Sequence, residues 1–338
     1  HLVLGNREHC FHSATTVRVF KDSKSAVRCQ GMESQTTDLE RSILKTILWF
    51  SLFPQPLTVF EIWKWLMQPI RAYDLSEVQS ILGKSDWLHE KLQESKGFWV
   101  LKSQASVELL IQHRQDRFLD AERKYKRLRR VARFFRLVPG VRAVAAVNSL
   151  AWWGTDALSD IDLYVITKSG SIWSSRFWLV LPFALTGSRS GHPREGKDPF
   201  CFSFFSTHDA LQMETICFAR DYYMAFWVKS LVPVFDRDGS FTEFHRVNRW
   251  ATSLLPNARG RTTHHRHVPG FCPRVPLHTR FLEPMFRSVQ RRRLPVYLTA
   301  LANQDSRVVV SDDMLKFHNN DRRLEYRDRF EALVAEHI

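Results

Sequence analysis

Five cysteines, Cys10, Cys29, Cys201, Cys217 and Cys272, are scattered over 338 residues, and no two form a Cys-x-x-Cys pair. That scarcity argues against a disulfide framework or a zinc knuckle and fits a reducing compartment, the cytoplasm. Long apolar runs are missing too. The longest near the middle covers residues 177–185 and contains Pro182, far short of the ~20 residues that a membrane span needs. The first residues show no continuous apolar stretch of the secretory kind. No internal repeat or long low-complexity tract is visible.

Acidic residues are also in short supply: 35 Asp and Glu face 49 Lys and Arg, a net charge of +14. The excess is local. Residues 122–136 carry eight Lys or Arg and one Glu, residues 259–293 carry nine Arg and one Glu, and the remainder is close to neutral at −1. Two such tracts predict a polyanionic partner, with RNA slightly favoured, or else a solvated helix face and a basic loop.

Residues 1–36 have no periodicity and predict a disordered tail. Met32 opens MESQTTDLERS, which resembles a natural start, so residues 1–31 read as an over-extended N-terminus. From Asp38, Leu39, Ile43, Ile47 and Phe50 recur at helical spacing. Thr58 with Glu61 predicts a capped second helix, with Phe60, Trp63 and Met67 facing inward and Pro69 as its stop. A third helix starts at Leu75 and ends at Gly83, and a short strand begins at Gly97. Three helices and a β-wing form a winged-helix-like pattern. The candidate recognition helix LSEVQSILGK has only Lys84 to offer phosphate, so DNA binding through it is a weak expectation.

One long basic helix then runs to Arg136, with Phe118, Ala121, Tyr125, Leu128, Ala132 and Phe135 on its apolar stripe. Pro139-Gly140 ends it. Residues 141–147 read as a buried strand, Ser149 starts a short helix, and residues 161–167 form a second strand. Asp160 and Asp162 are two positions apart, so they project from one side at the mouth of that strand. Two carboxylates there suit Mg²⁺, with water and substrate phosphate completing its shell. A serine opening a helix suits a phosphate. Alone, an Asp-x-Asp pair is more often a loop cap. Strand, Asn-Ser, short helix, loop and Asp-Ile-Asp together are more specific.

With Val147-Asn148-Ser149, ten intervening residues and Asp160-Ile161-Asp162-Leu163, the chain resembles the nucleotidyltransferase superfamily of polymerase-β type, especially its minimal bacterial and archaeal members. It also looks like bacterial proteins that place a winged-helix-like segment before such a core; SIWSSRFW at 171–178, CFSFF at 201–205 and LKFHNNDRR at 315–323 carry that likeness. The resemblance implies an α/β (α+β) mixed sheet with flanking helices. It implies that Asp160 and Asp162 hold Mg²⁺ or Mn²⁺ and that Ser149, with Asn148 beside it, contacts the phosphates of a nucleoside triphosphate. The implied reaction moves a nucleoside monophosphate to an acceptor hydroxyl.

The chain departs from the family pattern in two places. Asn148 stands where the family has Gly, and Asn is the residue that best tolerates the positive φ such a turn requires. The family's third carboxylate has no counterpart on the strand at 200–205; Asp198 and Asp209 flank it, and Asp198 is the candidate. Without it the reading shifts to a nucleotide- or nucleic-acid-binding regulatory protein that keeps the fold. Lys168, after the second strand, and Arg176, on an otherwise apolar helix, are further candidate phosphate ligands, Arg176 equally a surface side chain. Tyr222, Tyr223, Phe226 and Trp227 read as core rather than as a base-stacking surface. His264, His265 and His267 read as part of a basic loop rather than a metal site. Val308 to Val310 predict a strand, and Asp312-Asp313 then cap a helical segment. The polar groups of 316–323 form either an ion-pair network or a substrate-side wall. The expected organisation is a tail (1–37), a winged-helix-like domain (38–102), a connecting helix (103–136), a nucleotidyltransferase-like core (137–237) and a mainly helical C-terminal region (238–338).

Overall fold

Apolar alternation along residues 161–167 builds the central strand, and the rest of the fold covers its two faces. The computed structural model describes residues 36–102, 106–190, 198–262 and 279–338. The tail, the start at Met32 and the histidines at 264–267 lie outside the described residues. So do residues 263–278 of the basic tract at 259–293.

The first helices are α1 (Asp38–Ser51), α2 (Val59–Lys64), α3 (Leu75–Lys84) and α4 (Asp86–Lys91), with a small sheet β1 (Leu57–Thr58), β2 (Leu92–Ser95) and β3 (Phe98–Leu101) in the order β1-β3-β2. Thr37 and Thr58 cap α1 and α2 with reciprocal capping boxes to Glu40 and Glu61. The inward face of α2 differs from the expectation: Ile62 is buried and Phe60 is exposed. The helix stops at Lys64 rather than at Pro69: Trp65 already leaves the helical conformation, at φ −103° and ψ 21°, and the chain turns again through Gln68 at φ 50°.

Helix α5 (Val107–Phe135) carries the basic tract into β4 (Val141–Ala146). Gly140 makes the turn at φ 82°, where a Cβ would collide with the side chain of Ser175. Then follow α6 (Asn148–Ala151), β5 (Ile161–Thr167), α7 (Ile172–Leu185), β6 (Phe200–Thr207), α8 (Tyr222–Ser230), β7 (Val232–Asp236), α9 (Ser240–Val247) and α10 (Ala251–Leu254). The C-terminal part adds α11 (Glu283–Arg292), α12 (Val296–Leu301), β8 (Val308–Val310), β9 (Met314–Phe317) and α13 (Arg323–His337).

The main sheet runs β7-β4-β5-β6-β9-β8. Among the strands of the described residues only β5 and β6 pair in parallel, with Asp162 opposite Cys201. The class is therefore mixed α+β, with helices on both faces. Tyr164, Ile166 and Phe204 face one cluster with α1 and α8; Leu163, Val165 and Phe205 face another with α5 and α7. Residues 314–317 pair as β9 against β6 instead of forming a helix. An apolar alternation beside an open sheet edge outweighed the Ser-Asp-Asp cap signal. Pro233 lies in the edge strand β7, where a missing N–H is tolerated. Residues 36–338 form one compact unit by contact.

Candidate functional site

The backbone turn between β4 and α6 decides the site. Asn148 sits at φ 52°, the left-handed conformation expected of a residue standing in for Gly. Its side chain enters the site. Tyr223 Oη donates to Asn148 Oδ1 at 3.3 Å, which leaves the Nδ2 of Asn148 to face the carboxylate of Asp162. Burial pushes the Asp162 carboxyl up to about 6; polar contacts from Asn148 and Cys201 pull it down, and the nearby charge of Asp160 pushes it up. Asp160, half-buried at the strand's start, accepts from Ser190 Oγ.

Asp162 lines a cavity of about 300 Å³ with Asn148, Cys201, Ser203, Lys316, His318 and Arg323. On β6 the position expected to hold a third acid carries Cys201 and Ser203. His318 Nε2 lies 2.9 Å from Ser203 Oγ. Burial, with help from Lys316, drives the imidazole down to about 3, so it is neutral. The acid in this cavity besides Asp162 is Asp321, and it is engaged. It accepts from Lys316 Nζ at 3.1 Å and from Arg323 Nε at 2.9 Å. Despite burial, those cations hold it down at about 2. Arg323 also donates to Asp221 at 2.6 Å. The residues at 316–323 thus form an ion-pair network and wall the cavity at once. Their polar density was visible in the sequence. Their position beside Asp162 was not, since it depends on β9 pairing with β6.

Ser149 opens into a second cavity, of about 490 Å³, and Asn148, Tyr223, Trp227, Arg322 and Tyr326 border both. The expected trio is therefore divided. Asp162 and Asn148 share one cavity, Ser149 and Asn148 share the other, and Asp160 lines neither.

Three candidate residues lie elsewhere. Asp198 is clamped by Arg123, at 2.6 and 2.7 Å, with Arg127 at 3.5 Å. Burial opposes its charge, but Arg123 and its neighbours hold the carboxyl below the usual range. Arg127 covers the ring of Phe200 on the α5 side of the sheet, the face opposite Asp162, so Asp198 is a structural anchor. Arg176 is buried on that same far face, donating to Gln290 Oε1 at 2.5 Å and stacking on Phe317. An apolar helix packed on the sheet leaves its Arg no route to the other side. Lys168 is exposed at the other end of β5, about 20 Å along the strand from Asp162 at ~3.3 Å per residue.

Among the described residues no cluster of three or more His, Cys, Asp or Glu is set to hold a metal. Asp160 and Asp162 supply two hard oxygen donors, a set that fits a partly hydrated Mg²⁺ and not one enclosed by protein. On α5, Lys126, Arg129, Arg130 and Arg133 are exposed along one stripe, whereas Arg123 and Lys124 are committed to Asp120. No helix of the described residues is long and apolar enough to cross a membrane. Compared with family models, curated proteins and solved structures, the chain finds no match.

Proposed function

We propose that the chain is a nucleotide-binding protein of nucleotidyltransferase type whose transfer chemistry is suppressed. The observation that carries this reading is the face of β6 beside Asp162: Cys201 and Ser203 stand there, and the remaining acid of the cavity, Asp321, is paired with Lys316 and Arg323. Nucleotidyl transfer needs a group to accept the proton of the attacking hydroxyl. An imidazole held down at about 3 is a weak acceptor near neutral pH. Asp160 and Asp162 would hold Mg²⁺ or Mn²⁺, which would neutralise phosphate charge when bound. Arg322 is exposed, pairs with exposed Glu325 and lies over the ring of Tyr326 at 5.0 Å; a phosphate would compete with a surface ion pair that contributes little. The cationic stripe on α5 is the surface that RNA or another polyanion would meet.

The second reading is active transfer. It is favoured by the carboxylate pair at the strand mouth and by the Ser203–His318 contact, which puts a neutral imidazole where the third acid was expected. One experiment separates the two. Wild type and an Asp160→Ala/Asp162→Ala double variant are incubated with each labelled triphosphate, Mg²⁺ or Mn²⁺ and cell lysate, and binding is titrated in parallel. Suppressed chemistry predicts metal-dependent binding lost in the double variant, with no label transferred by either protein. Label transferred by wild type alone establishes the second reading. Equal, metal-independent binding by both proteins removes the aspartates from the site.

A further inference from the structure

We infer that the 490 Å³ cavity beside Ser149 is the nucleobase subsite of the proposed nucleotide site, and that the N-terminal helical segment builds one wall of it. The inference rests on the reading that phosphate and metal occupy the Asp162 cavity. The two cavities adjoin, with Asn148, Tyr223 and Tyr326 in the walls of both. Their chemistry divides as a nucleotide's does. Lys316, Arg323, Asn319 and Asn320 line the Asp162 side. Phe53, Trp152, Tyr223 and Tyr326 line the other, with Ser149 and Arg117 among its few polar groups.

Size and rigidity fit a base. The volume falls within the ~300–1,000 Å³ typical of small-ligand pockets. Its half-buried rings are already fixed by neighbours. Phe53 meets Trp49 and Tyr326 edge-on at 5.6 and 4.9 Å; Trp152 packs against Trp65 at 4.6 Å and Phe50 at 5.3 Å. Rings held in this way leave a face for a planar heterocycle without further ordering cost. Arg117 makes no hydrogen bond or ion pair with the described residues and supplies a donor at the rim. Ser149 then faces the nucleoside end of the ligand, not the phosphates. Phe53 and Gln55 come from the segment after α1, which is thereby part of the binding site.

The test is calorimetric titration of the full chain, with Mg²⁺, using inorganic tripolyphosphate, the four ribonucleoside triphosphates and free nucleosides. Phe53→Leu and Trp152→Leu remove a ring while keeping apolar bulk. The expected result is at least one nucleoside triphosphate bound about tenfold or more tighter than tripolyphosphate, as stacking of a base on aromatics provides. Both variants should lose that advantage and keep the tripolyphosphate affinity, which also reports that they are folded. If Trp152→Leu does not fold, Phe53→Leu, at the cavity wall, carries the comparison alone. Equal affinity for tripolyphosphate and every nucleoside triphosphate in wild type overturns the subsite, as does an advantage that survives in the folded variants. If tripolyphosphate fails to bind, the phosphate reading falls by itself. Nucleoside binding that is sensitive to Phe53→Leu then still supports the aromatic subsite, and its absence overturns it.

Discussion

Asp162 is a carboxylate whose protein surroundings disfavour its charge. Its ordinary value is 3.8 and the fold raises it to about 6, first through burial and, with opposite effects, through Asn148, Cys201 and Asp160. A raised value means that the folded chain holds the proton more tightly than the unfolded one. The stability this gives is present below pH 3.8 and is lost as pH rises through about 6. At about 1.4 kcal/mol per pH unit, the loss is of the order of 2–3 kcal/mol. Asp162→Asn should therefore be more stable than wild type at pH 7.5 by about that amount, the difference shrinking to zero by about pH 4. Urea unfolding at several pH values measures it. A difference that is the same at both ends would mean that the carboxyl does not titrate in this window. The position and turn of this residue were legible in the sequence: Asp-Ile-Asp at a strand mouth, Asn where φ is positive. Its neighbours were not. Cys201 depends on the β5–β6 register, and His318, 115 positions from Ser203 and just past β9, on the β6–β9 pairing, and neither pairing leaves a mark in local spacing.

Elements were legible where apolar period and length agreed. Ile161–Thr167 has the bounds that the pattern predicts. The pattern failed where two signals competed, as at 314–317, and where one residue had two uses. Arg176 looked like a site residue because a buried charge needs a partner, and Asp198 because it flanks the strand where the resembled family carries a third acid. The sequence gives no direction to that need, and both partners turned out to be structural. Asp198 ties α5 to the start of β6 through the two-pronged contact with Arg123. Asp198→Asn keeps the shape but weakens that contact, and should cost about 1–3 kcal/mol, as expected for hydrogen bonds to a charged group. Nucleotide binding should be unchanged once the protein is compared at a temperature where both forms are folded. A shift in thermal midpoint with unchanged affinity supports the anchor role. A lost affinity at full folding would return Asp198 to the site.

At the scale of the whole molecule, the N-terminal helices and the sheet share a core. Trp49 on α1 stacks on Phe226 of α8, at 5.2 Å and 3° between planes, and meets Phe330 of α13 edge-on at 5.4 Å. It is 2% exposed. A side chain that joins three elements from the two ends and the middle of the chain couples their folding, because none of them can expose its part of the contact without the others losing theirs. Trp49→Ala should remove about 3–5 kcal/mol. The loss should appear as one lowered transition, seen at the same urea concentration by far-ultraviolet circular dichroism and by tryptophan fluorescence. If residues 38–102 were an independent module, the variant would instead unfold in two steps, and proteolysis would release a folded remainder. A single transition also bears on function. The wall that Phe53 gives the aromatic cavity would then vanish with the sheet and not before it, so loss of base recognition and loss of Asp162-side binding should share one denaturation midpoint.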